Sequence, residues 1–171
     1  MPSTGFIRRL AWGLSALAVA WAGLILAAPM LGSAASPAPG GAYASAAVYW
    51  VGSLVCHQRP ERSFHLAGAR LPVCARCTGL YLSGALGVIV GTWRGLRGRA
   101  VPWSRWRLLL AAASVPTAAT LAAEWLWPST ESGLARAAAA VPLGLAAGVL
   151  LAEFAGFRGR LHGCEATRRR A

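Results

Sequence analysis

The chain contains no lysine and no aspartate, and charge of any kind is scarce: 13% of its 171 residues are Asp, Glu, Lys or Arg. A soluble domain carries about 25%. This deficit, with 56% hydrophobic residues and a mean hydropathy of +0.50, excludes an ordinary soluble globular class and points to a membrane protein. Every basic residue is therefore an arginine, a pattern read as genome composition rather than chemistry. Internal repeats are also lacking, and the length leaves no room for a second folded domain. The net charge of +12 comes without any nucleic-acid-binding pattern. The arginines instead flank apolar segments, as the positive-inside rule produces, so nucleic acid is not an expected partner and the lipid bilayer is.

What is present is a series of apolar runs. Arg8-Arg9 leads into Leu10 to Leu31, so a first span is expected over 8–31. Small residues at Gly32-Ser33-Ala34-Ala35-Ser36 offer a signal-peptide cleavage site. The run exceeds the usual apolar core of about 7–15 residues, which favours a retained helix. A Pro/Gly linker (Ser36 to Gly41) ends it. Tyr43 to Val55 is too short for a comfortable span and carries Tyr43, Tyr49 and Trp50, so a short interfacial helix is expected there. It opens a 43–72 segment that continues as a Cys/His loop.

Pro72 suits the first turn of a helix, and the second span is expected over 73–93. Gly84, Gly87 and Gly91 share one face of it, where another helix can approach closely. The third span is expected over 108–127 with a kink at Pro116, the fourth over 133–157 with Pro142 inside, and a basic tail over 158–171. In that tail Cys164 and His162 lie among arginines and read as solvated rather than as a ligand pair. The expected fold is an all-α, polytopic transmembrane helix bundle of about four spans plus the interfacial helix.

Topology follows from the arginines. Arg8, Arg9, the 94–107 loop and the tail fall on one side, and Arg59, Arg62, Arg70, Arg76 and Arg136 on the other. This implies a multi-pass cell-membrane protein with both termini cytoplasmic and the Cys/His loop facing out.

Chemistry concentrates between Cys56 and Tyr81, which hold three of the four cysteines and two of the three histidines. Cys74 and Cys77 are one turn apart at a helix start, where the dipole and Arg76 favour thiolate. With Cys56, and His57 or His65 as the fourth ligand, they make a set suited to zinc or iron. Two alternatives stay open at this point: thiol-disulfide exchange at the CxxC, and an inert disulfide. Gln58 and Arg62 are candidates for orienting the ligands. Arg59, Arg62 and Arg76 are candidates for binding an anionic substrate or a lipid headgroup, or for simple pairing with Glu61 or placement at the headgroup level. Glu124 and Arg136 are polar groups in or at apolar spans; Glu124 is expected near the Cys site, and Arg136 is a partner for either Glu124 or Glu131. A small transporter subunit using Glu124 and Arg136 is a third reading. Enzymatic activity is undecided, as is a homo-oligomer or membrane partner.

The segments Cys56-His57-Gln58-x-Pro60-x-Arg62-Ser63-Phe64 and Leu71-Pro72-Val73-Cys74-Ala75-Arg76-Cys77-Thr78-Gly79-Leu80-Tyr81 resemble a prokaryotic family of predicted membrane proteins, domain of unknown function 2085. The resemblance covers roughly 45–155 and is strongest over 56–81. It implies an integral membrane protein with Cys56, His57, Gln58, Arg62, Cys74, Arg76 and Cys77 at its site, and it implies no activity. The chain departs from the family pattern after Pro116. Thr117-Ala118-Ala119-Thr120 stand where an acid is usual, and Gly133-Leu134 where an Asn is usual. If that acid belongs to the site, its role is absent here or taken by Glu124.

Overall fold

The structure is a computed structural model that describes the backbone of residues 4–32, 40–66, 68–99, 101–127 and 132–168, and side chains at 9–32, 40–66, 68–99, 101–102, 104–127 and 132–155. Five α-helices follow in order: α1 (Thr4–Leu31), α2 (Gly41–Val55), α3 (Ala75–Leu96), α4 (Trp103–Leu126) and α5 (Gly133–Arg168). The protein is an all-α membrane helix bundle.

Among the described residues three helices are long and apolar enough to cross a membrane, over Arg9–Leu31, Ser104–Leu126 and Gly133–Ala155. Four were expected, and the difference lies in α3. It is 22 residues long, yet its glycines, Ser83, Thr92, Arg76 and Arg94 dilute its apolar character. Those residues have a packing reason. Helices α3 and α5 share the most extensive contact in the molecule, and it is made backbone to backbone. A Cβ at Gly79 would collide with the Ala137 carbonyl, and one at Gly87 with the Leu145 carbonyl and Gly148. The glycine face expected on this helix is thus matched by Gly144 and Gly148 of α5, a small-residue interface of the kind that holds helices together without a hydrophobic drive.

Around this central pair, α1 packs on α3 through an edge-to-face Trp21–Tyr81 contact, centroids 6.1 Å apart, and a Ser15–Thr92 hydroxyl bond of 3.0 Å. Helix α2 is tied to α1 where the Ser45 hydroxyl donates to the Ala28 carbonyl at 2.8 Å. Helix α4 leans mainly on α5, and only 6% of its most apolar stretch is buried, so it faces the membrane.

Several boundaries move. The second span was expected from 73; α3 begins at Ala75, with Cys74 as its extended N-cap residue, and runs on to Leu96. Pro72 stays outside because its carbonyl and its neighbours are held by the preceding loop. Helix α4 begins at Trp103, and Pro116 lies within it. The apolar part of α5 ends at Ala155, close to the expected 157, and the helix itself continues through the expected tail to Arg168. The linker at 33–39, Glu131 and the side chains of Arg158, Arg160, His162, Cys164 and Arg168 lie outside the described residues.

Between α2 and α3 the Cys/His loop has structure of its own. Pro60–Arg62 forms one 3₁₀ turn. Strands β1 (His65–Leu66) and β2 (Ala69–Arg70) pair antiparallel, His65 opposite Arg70. The loop closes on the bundle where the Leu71 N–H donates to the Phe64 carbonyl at 2.7 Å. The Phe64 ring lies beside Gly133 at the start of α5, where a Cβ would meet it at 3.1 Å.

Candidate metal centre

Cys56 ends α2 as its C-cap, in extended conformation, with its N–H bonded back to Gly52. Cys74 caps the start of α3, and Cys77 lies in the first turn. These placements bring the three sulfurs within 4.8 Å of one another. All three are free thiols and half-buried. Three thiolates on one tetrahedral zinc at about 2.3 Å lie about 3.8 Å apart, so a small inward movement closes the set. The Cys74 N–H already donates to the Cys56 sulfur at 3.2 Å, a bond that stabilises a thiolate.

Cys74 is the sulfur best prepared to ionise. The Cys77 thiol donates to it, and so do the Cys56 thiol and the backbone N–H groups of Cys77 and Arg76. Against the opposing effect of burial, these lower its pKa from 9.0 to about 5. The largest cause is the Cys77 thiol, one helical turn on from Cys74.

Gln58 fixes the two halves of the site relative to each other. Its backbone is left-handed, φ 48°, a conformation costly for a residue with a Cβ. From there its amide donates to the Tyr49 carbonyl of α2 and to the Pro72 carbonyl before α3, both at 2.7 Å. Gly52 makes room for this crossing; a Cβ there would stand 2.6 Å from the Pro72 oxygen and 3.0 Å from the Gln58 amide. The Arg70 guanidinium holds the Gln58 carbonyl at 3.3 Å, and the Tyr49 hydroxyl donates to the Arg70 carbonyl.

His57 follows Cys56 and is exposed, lining an open cleft of about 340 Å³ with Cys56 and Gln58. His65 is exposed on β1. Neither imidazole belongs to the converging group, which among the described residues comprises the three thiols.

The arginines go elsewhere. Arg62, Arg76 and Arg136 all converge on the buried carboxylate of Glu124, at 3.1, 2.8 and 2.7 Å. Arg76 also donates to the Thr120 hydroxyl at 3.3 Å. Glu124 thus takes the charge of two motif arginines, one turn beyond the position where an acid was expected. The pairing of Arg136 with Glu124 was foreseeable from their nearness to the same face. The reach of Arg62 across 62 residues was not, and neither was the part played by Thr120. Arg59 and Glu61 are exposed.

A family described as "Predicted membrane protein (DUF2085)" matches residues 56–150. An uncharacterised protein of Methanocaldococcus jannaschii is 39% identical over 70 residues, covering 40% of this chain and 44% of that protein. An uncharacterised protein of Methanothermobacter thermautotrophicus is 57% identical over 28 residues, covering 16% of this chain and 25% of that protein. The chain thus spans less than half the length of these curated relatives. No solved structure matches.

Proposed function

This chain belongs to the DUF2085 family of predicted membrane proteins, and we propose that it binds a metal ion, zinc or iron, through the thiolates of Cys56, Cys74 and Cys77. The observation that carries this reading is the convergence of three sulfurs from two separate helix ends within 4.8 Å. Soft thiolates select zinc and iron over hard cations. Three protein ligands leave a fourth position, which is the arrangement of an open rather than a purely structural site. An open cleft lies beside Cys56. His57, adjacent to Cys56, and His65 are the two candidates for the fourth ligand. Gln58 orients the set by holding Cys56 and Cys74 together. With α3 read as crossing beside α5, which makes the number of crossings even, the arginine distribution supports an outward-facing site with both termini in the cytoplasm.

The test is metal content by mass spectrometry on detergent-purified full-length protein. About one equivalent is expected. It is lost alike in Cys56→Ser, Cys74→Ser and Cys77→Ser and kept in Cys164→Ser. Unequal loss among the three defeats a shared site.

The lowered pKa of Cys74 supports a second reading, thiol-disulfide exchange. The Cys74 thiolate attacks a substrate disulfide and forms a mixed disulfide, releasing one substrate thiol. Cys77 then displaces the second substrate thiol, leaving the protein oxidised and the substrate reduced. Absence of metal together with reversible loss of two titratable thiols would select this reading.

A further inference from the structure

Among the described residues the Glu124 cluster is short of negative charge. Three guanidinium groups share one carboxylate whose side chain is 5% exposed, which leaves two positive charges without a described counter-ion. Among the described residues no second carboxylate lies within ion-pair distance of Arg62, Arg76 or Arg136. Arg76 in addition keeps a buried Nε–H with no hydrogen-bond partner. Its Nη2 is already committed to Glu124 and Thr120, which leaves the Nε–H beside it to receive an acceptor. Buried polar groups are nearly always satisfied, and an excess of buried charge is costly wherever water is scarce. Arg62 is bound through Nη1 alone and its side chain is 38% exposed, so the cluster has an opening.

We propose that the Arg62–Arg76–Arg136 cluster is a binding site for a phosphate-class oxyanion, with Glu124 as its fixed counter-ion. The chemistry fits the ligand. A phosphate offers several acceptor oxygens and up to two negative charges, which match a free Nε–H, the spare N–H groups of Arg62 and the missing charge. Guanidinium forks are suited to phosphate geometry. The setting fits as well. Trp125 and Trp127 flank the end of α4 just after Glu124 and are 87% and 63% exposed. Exposed tryptophans mark the headgroup level of a bilayer. The oxyanion is therefore a phospholipid headgroup or a free phosphate drawn from the adjoining water. This site stands whether or not the thiols hold a metal.

The experiment titrates full-length protein in a neutral maltoside detergent, by calorimetry, with inorganic phosphate and separately with dihexanoyl phosphatidylglycerol. Saturable one-to-one binding is expected for at least one probe. Binding of the lipid alone identifies a headgroup site, and binding of inorganic phosphate identifies a site for the free ion. Arg62→Gln and Arg76→Gln each weaken that binding at least tenfold. Arg97→Gln, at the far end of α3 where the guanidinium stacks 3.9 Å over Trp93, leaves it unchanged. Arg62 is part-exposed, so its variant tests the site even where Arg76→Gln fails to fold. Failure of both probes to bind, wild-type affinity in Arg62→Gln, or equal weakening in Arg97→Gln overturns the proposal.

Discussion

The Gln58 amide reaches the Pro72 carbonyl at 2.7 Å, and this bond sets the distance between Cys56 and Cys74. It joins a residue two positions after one cysteine to a residue two positions before the other. Removing it takes away no metal donor. Gln58→Ala is therefore expected to keep all three thiols titratable while lowering metal affinity by about 10- to 100-fold, the usual cost of losing a group that orients ligands. Competition against a chromogenic chelator measures this, and unchanged affinity would show that the sulfurs are held by the helix ends alone.

Glu124 is the anion on which three arginines depend. Glu124→Ala leaves them facing one another with no carboxylate between. Removing one partner of a buried ionic network costs about 3–5 kcal/mol. Arg62, 38% exposed, carries the smallest share because water screens it. A clear drop in Tm in detergent is the expected outcome. Inorganic phosphate should restore part of it by supplying the missing negative charge.

The pH dependence of the metal-free protein follows from Cys74. Its folded-state pKa is depressed to about 5, so the thiolate persists above that pH and is lost as pH falls through it. Any stability drawn from this ionisation is complete above the ordinary thiol range and disappears below about pH 5. At pH 6, iodoacetamide is expected to label Cys74 well before Cys77, whose thiol donates to Cys74 and is held protonated by it. Peptide mapping after a short pulse reads the order. Equal labelling would show that the Cys77 thiol does not act on this sulfur.

The α3–α5 contact predicts where substitutions are tolerated. Gly87→Ala places a methyl against the Leu145 carbonyl and the Gly148 Cα, and overpacking of this kind costs about 1–3 kcal/mol. Gly95→Ala, on the same helix, meets nothing within 4 Å and should leave the melting temperature as it is or raise it slightly. Similar values for the two variants would place the helices further apart than described.

Much of this architecture is legible in the residues. The membrane class follows from the shortage of charge and the long apolar runs. The glycine face of α3 and the pairing of Arg136 with Glu124 follow from spacing. The grouping of Cys56, Cys74 and Cys77 follows from one dense stretch of sequence. The misread boundary at Pro72 has a specific cause. Local preference favours Pro in a first helical turn, but Gln58 captures the Pro72 carbonyl and Phe64 the Leu71 N–H, which delays the helix to Ala75. Among the described residues three helices meet the length and apolarity of a span, and α3 falls short of being a fourth because the glycines it buries against α5 dilute its apolar character. The three-arginine cluster was out of reach because its members come from residues 62, 76, 124 and 136, which only the folded chain unites.

The glycine seam has a mechanical consequence for the thiols. Helices that touch through main chain, with no side-chain cushion between them, do not slide or roll independently. Cys74 and Cys77 ride on this stiff strut, whereas Cys56 hangs from the end of α2, outside it. Under the proposed metal reading, two donors are set by this strut and the third, Cys56, is brought to them by the Gln58 bridge.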